Sequence, residues 1–289
     1  MNLFLLGTAG FLITLAAMIL IMPAFISFLK KRNVSQVTSD YALEEFKQKE
    51  KTPIMGGLLF VVIPVIVICL IRCSVLKDMR VLFVILSYLL YCSVGFLDDF
   101  LIIRSHSNDG LSPKTRLIME FVYTLILFLL FRKVIPQQVT IPFLNIGIQL
   151  PWFIFLPFMI LLYMAEANAV NFTDGMDGLC AGVSLIALLP FLGYTFLYRD
   201  ENLSLFLLCI AAGLIGYLFF NHHPAKIFMG DSGSLALGAL FSALALVMDK
   251  TIALFVIGGV FVIEMFCVVL QQVSVRVFHK RVFSYTPIH

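Results

Sequence analysis

Nine long apolar runs dominate this chain, and a lipid bilayer leaves runs of that kind few options. Crossing roughly 30 Å of hydrocarbon takes about 20 apolar residues in a helix. The runs fall near 3–29, 54–71, 81–97, 117–135, 152–167, 177–198, 203–220, 233–248 and 252–273. Only helices and closed barrels satisfy their backbone groups in lipid, and these runs lack the alternation of barrel strands. With 61% hydrophobic and 13% charged residues, the composition lies far from that of a soluble domain. The reading is an all-α polytopic membrane protein of about nine transmembrane helices. The first run has no basic leading region and no small-residue cleavage site, so it is expected to stay as a helix rather than be removed as a signal. Residues 136–150, PQQVTIPFLNIGIQL, alternate and carry Pro and Gly, which predicts a short outer-face hairpin. Repeats, low-complexity tracts and Gly/Ser linkers are absent from the sequence, which argues for one domain over 1–289. Six cysteines without a CxxC pair make thiolate metal sites and a disulfide framework poor readings.

Parity then orders the charges. If each run crosses once, 13 of the 20 basic residues, from Lys30 to Arg281, fall on the side opposite the N-terminus. The positive-inside bias makes that side cytoplasmic. Acidic residues are scarce, yet Asp98-Asp99, Asp174/Asp177 and Asp231 all fall on this same side. Charge at a membrane boundary is costly unless solvated, paired or metal-bound, so clustered carboxylates there point to a functional site on the cytoplasmic face.

The clusters differ in what they offer. Asp98 and Asp99 end the third run in GFLDDF. Adjacent helical residues point about 100° apart, so one can face a ligand while the other orients it. In NAVNFTDGMDG, Asn168, Asn171, Asp174 and Asp177 recur at steps of three; on a helix, successive members would share a face. Asp231 precedes the eighth run in FMGDSGS. Hard oxygen ligands with few thiols or histidines nearby suit magnesium bound together with a phosphate. Blander readings stand beside each of these. Asp231, Asp174 or Asp177 could simply cap helices. Asp98-Asp99 could face water at a boundary, and Lys47, Lys49 and Lys51 could be ordinary cytoplasmic anchors. His222 and His223 read as solvated loop residues. Glu264 lies inside the ninth run and needs a partner within the bundle. The bland readings leave the joint placement on one face unexplained.

The strings TPIMGG (52–57), GFLDDF (95–100), NAVNFTDGMDG (168–178), PAKIFMGDSGSLALG (224–238) and KRVFSYTPIH (280–289) resemble, in order, the polyprenyl-phosphate N-acetylhexosamine-1-phosphate transferase superfamily. Within it, NAVN, SLALG and the terminal TPIH are most similar to the phospho-N-acetylmuramoyl-pentapeptide transferase branch. The resemblance covers about residue 40 to the end. It implies transfer of phospho-N-acetylmuramoyl-pentapeptide from UDP-N-acetylmuramoyl-pentapeptide to undecaprenyl phosphate, giving lipid I and UMP in peptidoglycan synthesis. It further implies Mg2+, ten membrane helices, a homodimer, a bacterial inner-membrane location, and no nucleic-acid partner. By the same resemblance, Asp231 is the expected metal ligand, and Asp98 and Asp99 position the lipid phosphate or remove a residual proton. Lys49, with Lys51 nearby, would neutralise phosphate charge. Asn168, Asn171, Asp174, Asp177, Asn221 and Phe228 would form the uridine and diphosphate neighbourhood. His289 would open a histidine motif that continues in the family, where a tenth helix follows. Ile54 stands where the family commonly has Thr.

Three other readings are weaker. A cation-coupled transporter would place its charges near the bilayer midplane and show inverted repeats, whereas these acids sit at run ends and no repeat is found. A non-catalytic scaffold would not need three acidic clusters together. A sister transferase using UDP-N-acetylglucosamine shares the Asp-Asp and NxxDGxDG motifs and is the nearest alternative.

Overall fold

The structure is a computed structural model that describes residues 3–32, 52–105, 110–142, 144 and 146–289. Lys49 and Lys51 lie outside the described residues. The helices are α1 (Leu3–Lys31), α2 (Gly57–Ile71), α3 (Met79–Ser105), α4 (Pro113–Phe131), α5 (Trp152–Thr173), α6 (Leu179–Leu197), α7 (Glu201–Asn221), α8 (Asp231–Val247), α9 (Thr251–Ile257) and α10 (Gly259–Phe278). A short 3-10 turn, Cys73–Lys77, links α2 to α3. Among the described residues, six helices are long and apolar enough to cross a membrane: α1, α3, α5, α6, α7 and α10. Helices α2 and α8 are apolar but shorter. The all-α polytopic expectation stands.

One run divides. The expected ninth span, 252–273, is two helices, α9 and α10, which meet at Gly258. Apolarity is continuous through the break, so hydropathy alone reads one helix. The hairpin is present as β1 (Gln138–Ile141) and β2 (Ile146–Gln149), antiparallel, with Gln138 opposite Gln149 and Ile141 opposite Ile146. Asp249, just beyond α8, accepts hydrogen bonds from Gln138 Nε2 and Thr140 Oγ1 and ties the hairpin to the bundle.

Helix α8 is the axis of the fold. Every residue from Ser232 to Val247 is buried, chiefly against α3 and α5, with α2 alongside. Lipid tails are as apolar as Leu, so association of membrane helices relies on close packing rather than on water exclusion. The sequence SGSLALGALFSALALV meets that need with Gly, Ala and Ser. A Cβ on Gly95 of α3 would collide with the Asp231 carbonyl, and one on Gly238 would collide with the Ala167 backbone of α5. Glycine at both positions lets three helices converge on one another's backbones. That convergence brings Asp98-Asp99, Asn168/Asn171 and Asp231 to the same end of the bundle.

Candidate active site

Helix α8 opens the site. Its first residue is Asp231, and Gly230 occupies the cap position without a side-chain cap bond. The cap comes instead from another helix. Asp99 accepts the Asp231 N–H (3.0 Å) on Oδ1 and the Ser232 N–H (3.1 Å) on Oδ2. A carboxylate at a helix N-terminus satisfies orphan donors and complements the positive end of the helix dipole. Asp99 is 2% exposed. With the backbone capped from α3, the Asp231 side chain is free to face elsewhere, which removes the reading of Asp231 as a helix cap.

Asp98 points in a different direction, as the 100° step requires. It accepts the Leu111 N–H (2.8 Å) and lies close over Gly110, holding the chain that leads into α4. Helix α3 continues past the pair to Ser105, so the two acids sit within its final turns rather than at its end.

Helix α4 brings residues that the sequence reading did not single out. Ser112 Oγ accepts the Thr115 N–H (3.1 Å) and Pro113 begins the helix, an N-terminus set by its own residues. That start fixes Arg116 and Glu120 four apart on one face. Arg116 Nη1 lies 2.6 Å from Asp231 Oδ2, its Nε 3.3 Å from Glu120 Oε1, and its Nη2 3.3 Å from Asn168 Oδ1. Glu120, fully buried, also accepts from Asn168 Nδ2 (3.2 Å). Asn171 Nδ2 donates to Asp231 Oδ1 (2.7 Å) and to Ser234 Oγ (2.9 Å). Arg116, Glu120 and Ser234 therefore join the expected set. An Arg and a Glu four residues apart, opening an otherwise apolar run, were the available signal.

The four-residue series does not continue as one helical face. Helix α5 ends at Thr173, and residues 174–178 form a turn that closes on Gly178 at φ +77°, a conformation that suits glycine. Asn168 and Asn171 share a face, while Asp174 and Asp177 lie beyond the helix. The half-buried Asp174 carboxyl is pushed up to about 7, first by its protein surroundings and then by the Asp231 charge, against a hydrogen bond from the Gly230 backbone. Asp177 accepts the Ala225 N–H (3.2 Å) and faces His223 Nδ1 (3.0 Å). Neither acid caps α6, whose cap position is Gly178. Asn221 accepts the Gly178 N–H and donates to the Ile227 carbonyl, both at 3.0 Å, joining the 174–178 turn to the chain before α8. Phe228 is half-buried, and its backbone pairs with Pro53 and Gly56, fastening the TPIMGG segment to the site.

The C-terminal segment folds back along α10. Gln271 accepts the Val282 and Phe283 N–H groups, and Ser274 donates to the Lys280 carbonyl. Glu264 accepts the Ile288 N–H (2.9 Å) and lies 3.2 Å from His289 Nδ1, so the partner it was expected to need is this tail. The Nε2 edge of the His289 ring abuts Gly175.

The donor set suits magnesium in one particular mode. Among the described residues no three His, Cys, Asp or Glu side chains gather as a metal cage. Magnesium, however, takes one or two carboxylates and fills its shell with water and substrate phosphate. Asp231 offers that, with Asp98 and Asp174 inside electrostatic reach. An apolar groove of about 370 Å³ between α5 and α9–α10 begins at Ala169, one residue beyond Asn168.

Comparison with known proteins gives consistent findings. The model of glycosyl transferase family 4 matches residues 81–249, from the start of α3 to just past α8. The chain is similar to the phospho-N-acetylmuramoyl-pentapeptide-transferase of Halalkalibacterium halodurans, at 36% identity over 94% of this chain and 84% of the relative. Proteins of the same name from Campylobacter jejuni (36%, covering 97% and 84%) and Oceanobacillus iheyensis (35%, covering 97% and 86%) are similar to it as well.

Proposed function

Since the chain belongs to glycosyl transferase family 4, alongside relatives named phospho-N-acetylmuramoyl-pentapeptide-transferase, we propose that it transfers phospho-N-acetylmuramoyl-pentapeptide from UDP-N-acetylmuramoyl-pentapeptide to undecaprenyl phosphate. In this reaction an oxygen of the lipid phosphate forms a bond to the sugar-bearing phosphorus. The bond to the second phosphate breaks, and the products are lipid I and UMP. The nucleophile arrives ionised, so the protein's task is to bring anions together and offset their charge. The observation that carries the proposal is the junction at the head of α8, where Asp231, Arg116, Asn168 and Asn171 meet beneath a cap supplied by Asp99.

In this mechanism Asp231 would hold magnesium, with Asp98 or Asp174 nearby, and the ion would neutralise charge on the diphosphate. Arg116, which balances Asp231 in the free protein, turns towards phosphate oxygens while Glu120 keeps its Nε side in place. Asn171 fixes the orientation of the Asp231 carboxylate. The 174–178 turn and the 222–230 segment, joined through Asn221 and Asp177, form the donor's nucleoside side, with Phe228 as a stacking surface. His289, braced by Glu264, closes the site beside Gly175. Lys49 and Lys51 supply further positive charge. The groove from Ala169 between α5 and α10 holds the first prenyl units. The site faces the cytoplasm of a bacterial inner membrane.

The test is UMP release by the purified chain with undecaprenyl phosphate, offering UDP-N-acetylmuramoyl-pentapeptide or UDP-N-acetylglucosamine, with and without magnesium. Release from the muramoyl donor that requires magnesium supports the proposal. Preferential turnover of UDP-N-acetylglucosamine moves the chain to the sister class, and release indifferent to magnesium removes Asp231 from its role.

A further inference from the structure

The hairpin faces the opposite way from a sheet that folds its apolar side onto a core. Residues directly opposite on antiparallel strands share a face, so Val139, Ile141, Ile146 and Ile148 line one side and Gln138, Thr140, Gly147 and Gln149 the other. The polar side is the one fastened to the protein, through the hydrogen bonds that Gln138 and Thr140 donate to Asp249. The aliphatic side therefore points away from that anchor. Val139 and Ile141 are half-buried, Ile146 and Ile148 are 52% and 47% exposed, and Leu144 at the turn is exposed as well. Aliphatic side chains gathered on one projecting element call for a cover.

The surroundings of the hairpin point to lipid as that cover. Only Leu150 and Pro151 separate β2 from Trp152, the first residue of the membrane-crossing α5, so the hairpin root lies within about 10 Å of the span. Trp152 and Phe153 are exposed and meet edge to face, and aromatic side chains concentrate where hydrocarbon gives way to headgroups. Arg132 and Lys133, just past α4, are exposed and form no ion pair among the described residues. The Arg132 carbonyl accepts from Gln137 Nε2 (2.8 Å), which ties these cations to the start of β1. Headgroup phosphates are their complementary partner. We infer that the hairpin docks on the membrane surface beside α5, with Ile146 and Ile148 among acyl chains and Arg132 and Lys133 on the phosphates of anionic phospholipids. This contact is independent of the transfer reaction.

Trp152 is the chain's one tryptophan, so the full chain in phosphatidylcholine nanodiscs carries its own reporter of lipid contact. Lipid brominated in the upper acyl chain quenches tryptophan on contact, and it is supplied as a minor component, either phosphatidylcholine or phosphatidylglycerol. A basic residue at an anionic surface adds roughly fivefold in affinity, so brominated phosphatidylglycerol should quench native Trp152 at about fivefold or more lower content than brominated phosphatidylcholine. Replacing both cations, Arg132→Gln with Lys133→Gln, should remove that preference. For the hairpin itself, Ile148→Trp and Gln149→Trp are placed separately in a Trp152→Phe background. The reporter at 148 should be quenched by brominated lipid more strongly than the one at 149, and be less accessible to aqueous acrylamide. The native measurement tests the idea even if a reporter variant fails to fold. Equal quenching of native Trp152 by the two lipids overturns the inference. So does a folded reporter at 148 that acrylamide reaches and brominated lipid does not, which leaves the face in water, or one that neither reaches, which sets it against a second copy of the chain.

Discussion

At the hairpin end of the bundle the acids meet cations or side-chain amides and hydroxyls, while at the opposite end, among the described residues, carboxylates outnumber the cations that serve them. Arg72 pairs with Glu201 (3.2 Å), Arg80 bridges Asp78 (3.4 Å) and Asp200 (2.9 Å), and Asn202 donates to Asp78. Burial, which alone would raise the Asp78 carboxyl, is outweighed by the hydrogen bonds from Asn202 and Arg80 and by the Arg80 charge, which together hold it below its usual range. At the other end, Asp98, Asp99 and Asp174 take hydrogen bonds from backbone N–H groups, and Arg116 serves both Asp231 and Glu120. Balanced charge closes off an end of the bundle. Unbalanced negative charge, held rigidly by backbone donors, is a site prepared for a cation and its anionic substrate.

The contrast breaks most sharply at Asp231. Asp231→Asn keeps the shape and the Asn171 contact but removes the charge, and transfer should fall by roughly a thousandfold in a protein that still elutes as a folded species. Near-native turnover at low magnesium would show that the acidic excess is incidental. Asp99→Ala should follow, because it uncaps the axial helix. A lost cap costs about 1–2 kcal/mol, so both the thermal midpoint and the transfer rate should drop, while Asp98→Asn should lose rate with a smaller change in midpoint. Equal, mild effects at both positions would favour the reading of two water-facing boundary residues.

A subtler difference is in pH response. The Asp174 carboxyl is raised from 3.8 to about 7, so the folded protein retains a proton that the unfolded chain releases. The associated stability is fully present below about pH 4 and is lost as pH rises through about 7. Thermal midpoints of the metal-free protein should therefore decline between about pH 4 and 7, and Asp174→Asn should flatten that decline. An unchanged slope would show that Asp174 does not hold the extra proton of the folded state. The smallest effect belongs to the hairpin end. Arg80, 46% exposed, should cost about 0–1 kcal/mol as Arg80→Ala and leave transfer unchanged. A large loss of transfer there would undo the distinction between the two ends.

The sequence made much of this arrangement legible, for reasons that can be named. Apolar length marks helices wherever lipid surrounds them, so all nine runs coincide with helical segments. The split at Gly258 was hidden because both sides of it are equally apolar. Spacing by three suggested one face for Asn168 to Asp177, but it carries no information on where the helix stops, and the 174–178 turn ends it early. The roles of Asp98 and Asp99 required three dimensions. Their divergence follows from helical geometry, whereas the capping of α8 by Asp99 depends on a contact 132 residues away. Arg116 and Glu120 were overlooked because a charged pair at the start of an apolar run also fits ordinary boundary chemistry.

The central claim is that the carboxylate-rich end of the bundle binds the nucleotide-sugar donor. A UDP-N-acetylmuramoyl-pentapeptide analogue with a photoreactive uracil, crosslinked to the magnesium-loaded chain and mapped by peptide sequencing, tests it directly. The account predicts labelling within 171–178 and 221–231, and suppression by excess UMP. Labelling confined to the hairpin end, at 132–149 or 194–202, would contradict it.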